Sequence, residues 1–177
     1  MENNTPNPQG IVNPDKAILN RDKAILNLEL KKLEFFLGKW NMEGQQYEGL
    51  YGPAAKVIAV QTYEWLEGGG FLIHRLKGNV REREIAWIEI MGYDETIQQY
   101  PIHSFYNDGK TIEWESSEQN DTWTLTGHSQ AEGRILKVRC ITVLSDSGNT
   151  MTGKWEQSED GSEEWKTFWD VKSTKVK

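Results

Sequence analysis

From Trp40 onward, apolar and polar residues alternate with a period of two. Val57, Ala59, Gln61, Tyr63 and Trp65 fall on one face, and Ile58, Val60, Thr62, Glu64 and Leu66 on the other. This is the pattern of an extended strand, whose successive side chains point to opposite sides. REIAWIEIMGY at 83–93 reads the same way, and strand-like runs follow at 111–116, 121–128, 135–144, 150–157 and 163–171. Turn-formers stand between them: Gly68-Gly69-Gly70, Gly78-Asn79, Asp94-Glu95, Asn107-Asp108-Gly109, Gln119-Asn120, Glu132-Gly133, Ser147-Gly148-Asn149 and Asp160-Gly161. Short strands joined by short turns predict an antiparallel meander, of about ten strands. An open sheet that wide leaves two unpaired edges, which closure removes. The expected fold is therefore mainly β: a single antiparallel up-and-down β-barrel with an N-terminal α-helix.

The helix is predicted over 14–37. Asn13-Pro14-Asp15 is a good start, since Asn accepts from free N–H groups, Pro suits the first helical position and Asp favours the positive dipole end. Gly38 suits the stop. Within it, Asp15–Asn27 repeats DKAILN at a spacing of seven. A coiled-coil seam needs apolar residues at alternating steps of three and four. Here Asn20, Arg21, Asp22 and Lys23 interrupt it, so each heptad lacks its second seam position. Leu26, Leu30, Leu33 and Leu37 form a better stripe, that of an amphipathic helix docked on a larger domain. The expected organisation is a disordered, Asn- and Pro-rich tail over 1–13, the helix over 14–37 and a barrel domain over 38–172.

Composition narrows the function classes. The chain has 177 residues, with eight Trp, six Tyr and five Phe; it is long enough for one sizeable core, and aromatics favour strands. The net charge of −7 with no basic cluster argues against a nucleic-acid partner. One cysteine, Cys140, allows no internal disulfide and fits a reducing compartment. No secretory leader and no apolar run of membrane-spanning length is visible. The expectation is a cytoplasmic protein without a membrane partner.

FLGKW at 36–40 places Gly38-x-Trp40 directly after a short helix, at the opening of the first strand. This resembles the start of lipocalin-like (calycin-like) barrels. More closely, the chain resembles a bacterial family of lipocalin-like domains of unknown function. The matching pieces are LEFFLGKWNMEG (33–44), WLEGGGFLIH (65–74), IMGYDETIQQY (90–100), YNDGKTIEWE (106–115) and SEDGSEEWKTFWDV (158–171). The resemblance implies a barrel with an interior site and supplies no catalytic residues. It also implies that Trp40 closes the barrel base under a basic side chain of the last strand, here Lys166 or Lys172.

The candidate chemistry is sparse. His74, His103 and His128 show no His-x-x-x-His spacing, so no metal site is expected. His74 alternates with Leu72 and Leu76 and is the histidine expected to face inward. Trp87, Glu89 and Met91 share one strand face, and a Glu89 turned inward would be an acid/base candidate. Glu113 and Glu115 share a face at roughly 7 Å, the alternation of an ordinary half-buried strand flanking Trp114. Lys137 and Arg139 alternate with Leu136, Val138 and Cys140. Arg139 is expected outward, but turned inward it would clamp a carboxylate, as in similar fatty-acid-binding barrels. Some related barrels hold haem through a late histidine, and this sequence has none after His128. No Gly-x-Ser-x-Gly, His-Glu-x-x-His or Cys-x-x-Cys is present.

The leading expectation is a binding barrel for a small apolar or amphipathic ligand, with no cofactor identified. Trp87, Trp114, Trp123 and Trp155 would form its walls, and His74, Glu89 or Arg139 would fix orientation. Next comes a homo-oligomer or interaction protein using the N-terminal helix. Third is an isomerase or hydrolase with one interior acid/base.

Overall fold

A computed structural model describes Leu26 and residues 28–145, 147–159 and 162–177. Ten strands follow in order: β1 (Gly38–Gln46), β2 (Ala55–Trp65), β3 (Leu72–Val80), β4 (Arg83–Met91), β5 (Ile102–Tyr106), β6 (Thr111–Gln119), β7 (Thr122–Ala131), β8 (Arg134–Leu144), β9 (Thr150–Glu159) and β10 (Lys166–Lys175). Every sequential pair is antiparallel, and β1 closes on β10 to complete the barrel. The mainly-β closed antiparallel barrel expected from the alternation is what the chain forms. Closure gives each of these strands a partner on both sides.

The faces follow the pattern of two. On β2, Ala55, Val57, Ala59, Gln61 and Tyr63 are buried, while Lys56, Ile58 and Val60 are exposed. On β3, Leu72, His74, Leu76 and Val80 are buried, and on β4, Ile85, Glu89 and Met91. One turn signal was misleading. Gly78 lies inside β3, and the chain reverses after it, with Arg81 at φ 57°. The reason is steric. A Cβ at Gly78 would sit 2.2 Å from the Ile58 carbonyl oxygen and 2.4 Å from the Ala59 Cβ. Gly78 thus marks a close approach of two strands inside the sheet.

The N-terminal helix closes one mouth. Residues 28–32 are helical, and Leu33–Phe36 tighten into a 3-10 turn. Gly38, at φ 109°, then turns the chain into β1. Leu33 and Phe36 are buried, with Leu30 and Leu37 packed beside them. The Phe36 ring lies 5.4 Å from that of Tyr63 and 5.3 Å from that of Trp123. Lys32 reaches Glu118 on β6 at 3.1 Å, and the Tyr100 hydroxyl donates to Glu29. The tail over 1–13, the first half of the helix expected over 14–37 and the repeat at Asp15–Asn27, Leu26 apart, lie outside the described residues.

Trp40 is fully buried at this closed end, and its indole N–H donates to the Phe36 carbonyl at 2.7 Å. The cation above it is neither Lys166 nor Lys172. Lys175, directly opposite Trp40 across the β1–β10 seam, holds its ammonium 4.9 Å from the indole ring and donates to the Phe35 carbonyl at 3.2 Å. Lys166 starts β10 at the other mouth, opposite Gln157, and Lys172 points to solvent. Among the described residues no helix is long and apolar enough to cross a membrane.

Candidate functional site

The barrel interior holds two adjoining cavities. The inner one, about 90 Å³, extends from Phe36 to Trp169 and is bounded by Met42, Leu76, Cys140 and Met151. The outer one, about 320 Å³, opens at the mouth away from the helix, between Tyr51, Tyr106, Ile112 and Phe168. Trp87, Trp155 and Trp169 line both, so three indoles form the collar between them. The volume of the outer cavity falls within the roughly 300–1,000 Å³ of small-molecule sites. Its rim is charge-balanced, with Arg83 and Lys110 beside Glu84 and Asp108.

A polar chain runs through this aromatic interior. β3 and β4 pair His74 with Glu89, and β4 and β5 pair Glu89 with Ser104. All three side chains point inward, because they share the alternation of Leu72, Met91 and Ile102. The His74 Nδ1 and Glu89 Oε2 atoms are 2.5 Å apart, and the Ser104 hydroxyl is 2.8 Å from Glu89 Oε1. Trp114 Nε1 donates to Ser104 Oγ at 2.8 Å. An indole N–H can only donate. Ser104 therefore accepts from Trp114 and passes its own proton on to Glu89. The His74 ring stacks on Tyr63 at 4.1 Å with an interplanar angle of 2°. Tyr63 in turn donates to Gln61, and Gln61 to Ser173.

Among the described residues, two nitrogens in this interior are buried without a partner: His74 Nε2 and Trp87 Nε1. Both residues line the inner cavity, and their rings meet edge to face at 6.4 Å. A buried donor or acceptor left unmatched costs about 1–3 kcal/mol. The surrounding phenols and the thiol are held toward their protonated forms. Burial, and then the Glu89 charge, raise the Tyr106 phenol; burial, Glu89 and Cys140 raise Tyr63. Burial pushes the Cys140 thiol up to about 12, against a lowering hydrogen bond from Thr142. A thiol so placed is a poor nucleophile.

A family model described as a protein of unknown function, DUF1579, matches residues 28–174. The chain belongs to that family. The match takes in the helical turn, the polar chain and both cavities. No curated protein matches this one.

The structure gathers six of the seven residues singled out in the sequence. His74, Trp87, Glu89, Trp123 and Trp155 line the inner cavity, and Trp114 lines the outer one. Arg139 is not with them. It lies on the outer surface, bonded to Glu156 at 2.7 Å and stacked 4.1 Å from the Trp165 ring, because the inward face of β8 belongs to Leu136, Val138 and Cys140. Glu113, Glu115, His103 and His128 also face outward, and His103 sits 3.6 Å from Glu113. Among the described residues no group of three or more His, Cys, Asp or Glu is placed to hold a metal ion.

Sequence reasoning missed Ser104, Tyr63 and Trp169. A signal existed for two of them. Tyr63 continues the inward alternation of Val57, Ala59 and Gln61, and Ser104 lies between the apolar Ile102 and Tyr106. Trp169 was hidden by an irregularity between Thr167 and Trp169, which shifts the β9–β10 register and breaks the alternation.

Proposed function

We propose that this protein binds a small apolar or amphipathic molecule inside its barrel, as lipocalin-like barrels do. The observation that supports this is the unmatched pair, His74 Nε2 and Trp87 Nε1, set beside an aromatic cavity that adjoins a second one at the open mouth. Apolar walls with a few convergent polar atoms are what a ligand site needs, the walls for affinity and the polar atoms for orientation. Native mass spectrometry of the gently purified protein tests the reading: an added mass that disappears on denaturation supports it. A direct test is titration with N-phenyl-1-naphthylamine, an uncharged apolar probe. We expect one probe per chain, with quenching of tryptophan emission, and at least tenfold weaker binding by Ile112→Trp, which fills the outer cavity. Absence of probe binding by the intact protein would remove the reading.

One observation favours a second, enzymatic reading. Glu89 holds the imidazole by Nδ1, which leaves Nε2 as the ring atom free to exchange a proton with a bound molecule, the arrangement of a carboxylate-oriented acid/base. A co-purified mass that converts with time in the native protein, and not in Glu89→Gln, would move the protein to this reading. A mass that never changes marks a carrier.

A further inference from the structure

The two unmatched nitrogens select the head group of the ligand, and this step rests on the binding reading above. One imidazole and one carboxyl group can share two protons with no net charge, or one proton with a net charge of −1. In the two-proton forms, one proton bridges Nδ1 and Oε2 and the other sits on Nε2, whichever partner is formally charged. In the one-proton form Nε2 is a bare acceptor. The inner cavity decides between them. No lysine or arginine lines it among the described residues, and Tyr63 and Cys140, which do, are uncharged. Glu89 Oε1 accepts only a neutral serine hydroxyl. His74 is 3% exposed and Glu89 7%. A net charge there would face no cation and be almost cut off from bulk solvent, at a cost of several kcal/mol. The two-proton pair avoids it.

His74 Nε2 is then an N–H donor, as Trp87 Nε1 always is. We infer that the inner cavity offers two N–H donors, those of His74 and Trp87, and takes an uncharged acceptor, the carbonyl oxygen of a small ketone, aldehyde or amide whose apolar body lies along Trp87, Trp155 and Trp169. Carbonyl oxygen has two lone pairs, one for each donor, and no proton of its own. An alcohol must also place its own proton, and the nearby Gln61 and Ser173 oxygens already accept from Tyr63 and Gln61. A carboxylate brings back the net charge that the pair avoids. The inner volume of about 90 Å³ has room for several water-sized groups, enough for a small carbonyl head.

The test is displacement of N-phenyl-1-naphthylamine from the full chain by 2-octanone, 2-octanol, octane and octanoate, four bodies of one length. We expect 2-octanone to bind about tenfold or more tightly than each of the others, since a matched buried donor is worth at least one such factor. Trp87→Phe keeps an aromatic ring and deletes one donor. It should lower the ketone-to-octane ratio about tenfold, and the ratio is the readout because the smaller ring changes the wall for both ligands alike. Independently of any variant, the ¹⁵N resonance of His74 Nε2 in the wild-type protein should be of the protonated, pyrrole-like kind. A pyridine-like resonance, or 2-octanol or octanoate ranking first, overturns the assignment. Four equal affinities overturn it as well, and mean that water serves both donors. In each of these cases the probe still binds and the binding reading stands. If the probe does not bind, the binding reading fails and this one with it.

Discussion

His74 and Glu89 are not interchangeable in what their loss would do. His74→Leu leaves a carboxylate without its imidazole among aromatic rings, and we expect a loss of about 3–5 kcal/mol of stability in urea unfolding. Glu89→Leu leaves an imidazole that can remain neutral, with Ser104 losing its acceptor, and should cost about 1–3 kcal/mol. The double variant should be more stable than His74→Leu alone, because an apolar pair replaces a half-broken one. Outside the barrel, burial by itself would raise the Glu156 carboxyl, but hydrogen bonds and charge from Lys154 and Arg139 outweigh it and hold it below its usual value. A depressed carboxyl stabilises the fold above its unfolded-state value, and that contribution fades as pH falls through the folded one. Arg139→Met should thus cost stability at pH 7, roughly 1–3 kcal/mol for a charge-assisted bond, and less at pH 3. Thermal unfolding at the two pH values measures the difference. At this scale the sequence was legible where alternation alone decides, as for His74, Trp87 and Glu89. It was not legible where register decides. Lys175 rather than Lys166 or Lys172 covers Trp40 because the β1–β10 pairing puts it opposite, and no pattern within one strand contains that information.

Among the strands, glycines have two different jobs that look alike in the sequence. Gly109, at φ 84°, turns the β5–β6 hairpin, and a Cβ there would meet nothing within 4 Å. Gly109→Ala should cost about 1 kcal/mol, for backbone conformation only. Gly78 and Gly127 sit within strands. At Gly127 a Cβ would come within 2.7 Å of the Trp114 ring, the donor that fixes Ser104. Gly127→Val should therefore cost more, about 1–3 kcal/mol for overpacking, and should also disturb the polar chain through Trp114. Melting temperature and the indole N–H resonance of Trp114 would show the two effects together. Gly127→Val with an unmoved Trp114 resonance would contradict the account. The turn signals at Gln119-Asn120, Glu132-Gly133 and Ser147-Gly148-Asn149 led to real hairpins, because φ is positive at Asn120, Glu132, Gly133 and Gly148. Gly78 misled because inter-strand crowding, which no local rule reports, selected it.

For the molecule as a whole, the length and number of alternating runs were enough to give a closed barrel, since so wide a meander has no other economical way to remove its edges. What the helical turn would do was partly legible. The Leu stripe implied docking, and Leu33 with Phe36 proves to fill one mouth and leave the other to the outer cavity. The result is a vessel with one plugged and one open end. Substitution at the plug and at the mouth should separate accordingly. Phe36→Ala should reduce stability by about 3–5 kcal/mol through its contacts with Tyr63 and Trp123. Tyr51→Ala, at the open mouth, should change the rate at which the naphthylamine probe enters and leaves more than it changes the melting temperature. Stopped-flow fluorescence beside a thermal scan distinguishes the two.

The β1–β10 seam has a kinetic meaning. Every other strand pair joins neighbours in sequence and can form as a local hairpin on a microsecond scale. Trp40 and Lys175, near opposite ends of the barrel's chain, meet only when the ribbon has curled on itself, and the loop entropy of that encounter is lost before its contacts are gained. Seam contacts should then be absent from the folding transition state. Lys175→Ala should leave the refolding arm of a chevron plot nearly unmoved and speed escape from the native state, so that the seam governs how long the barrel lasts rather than how fast it forms.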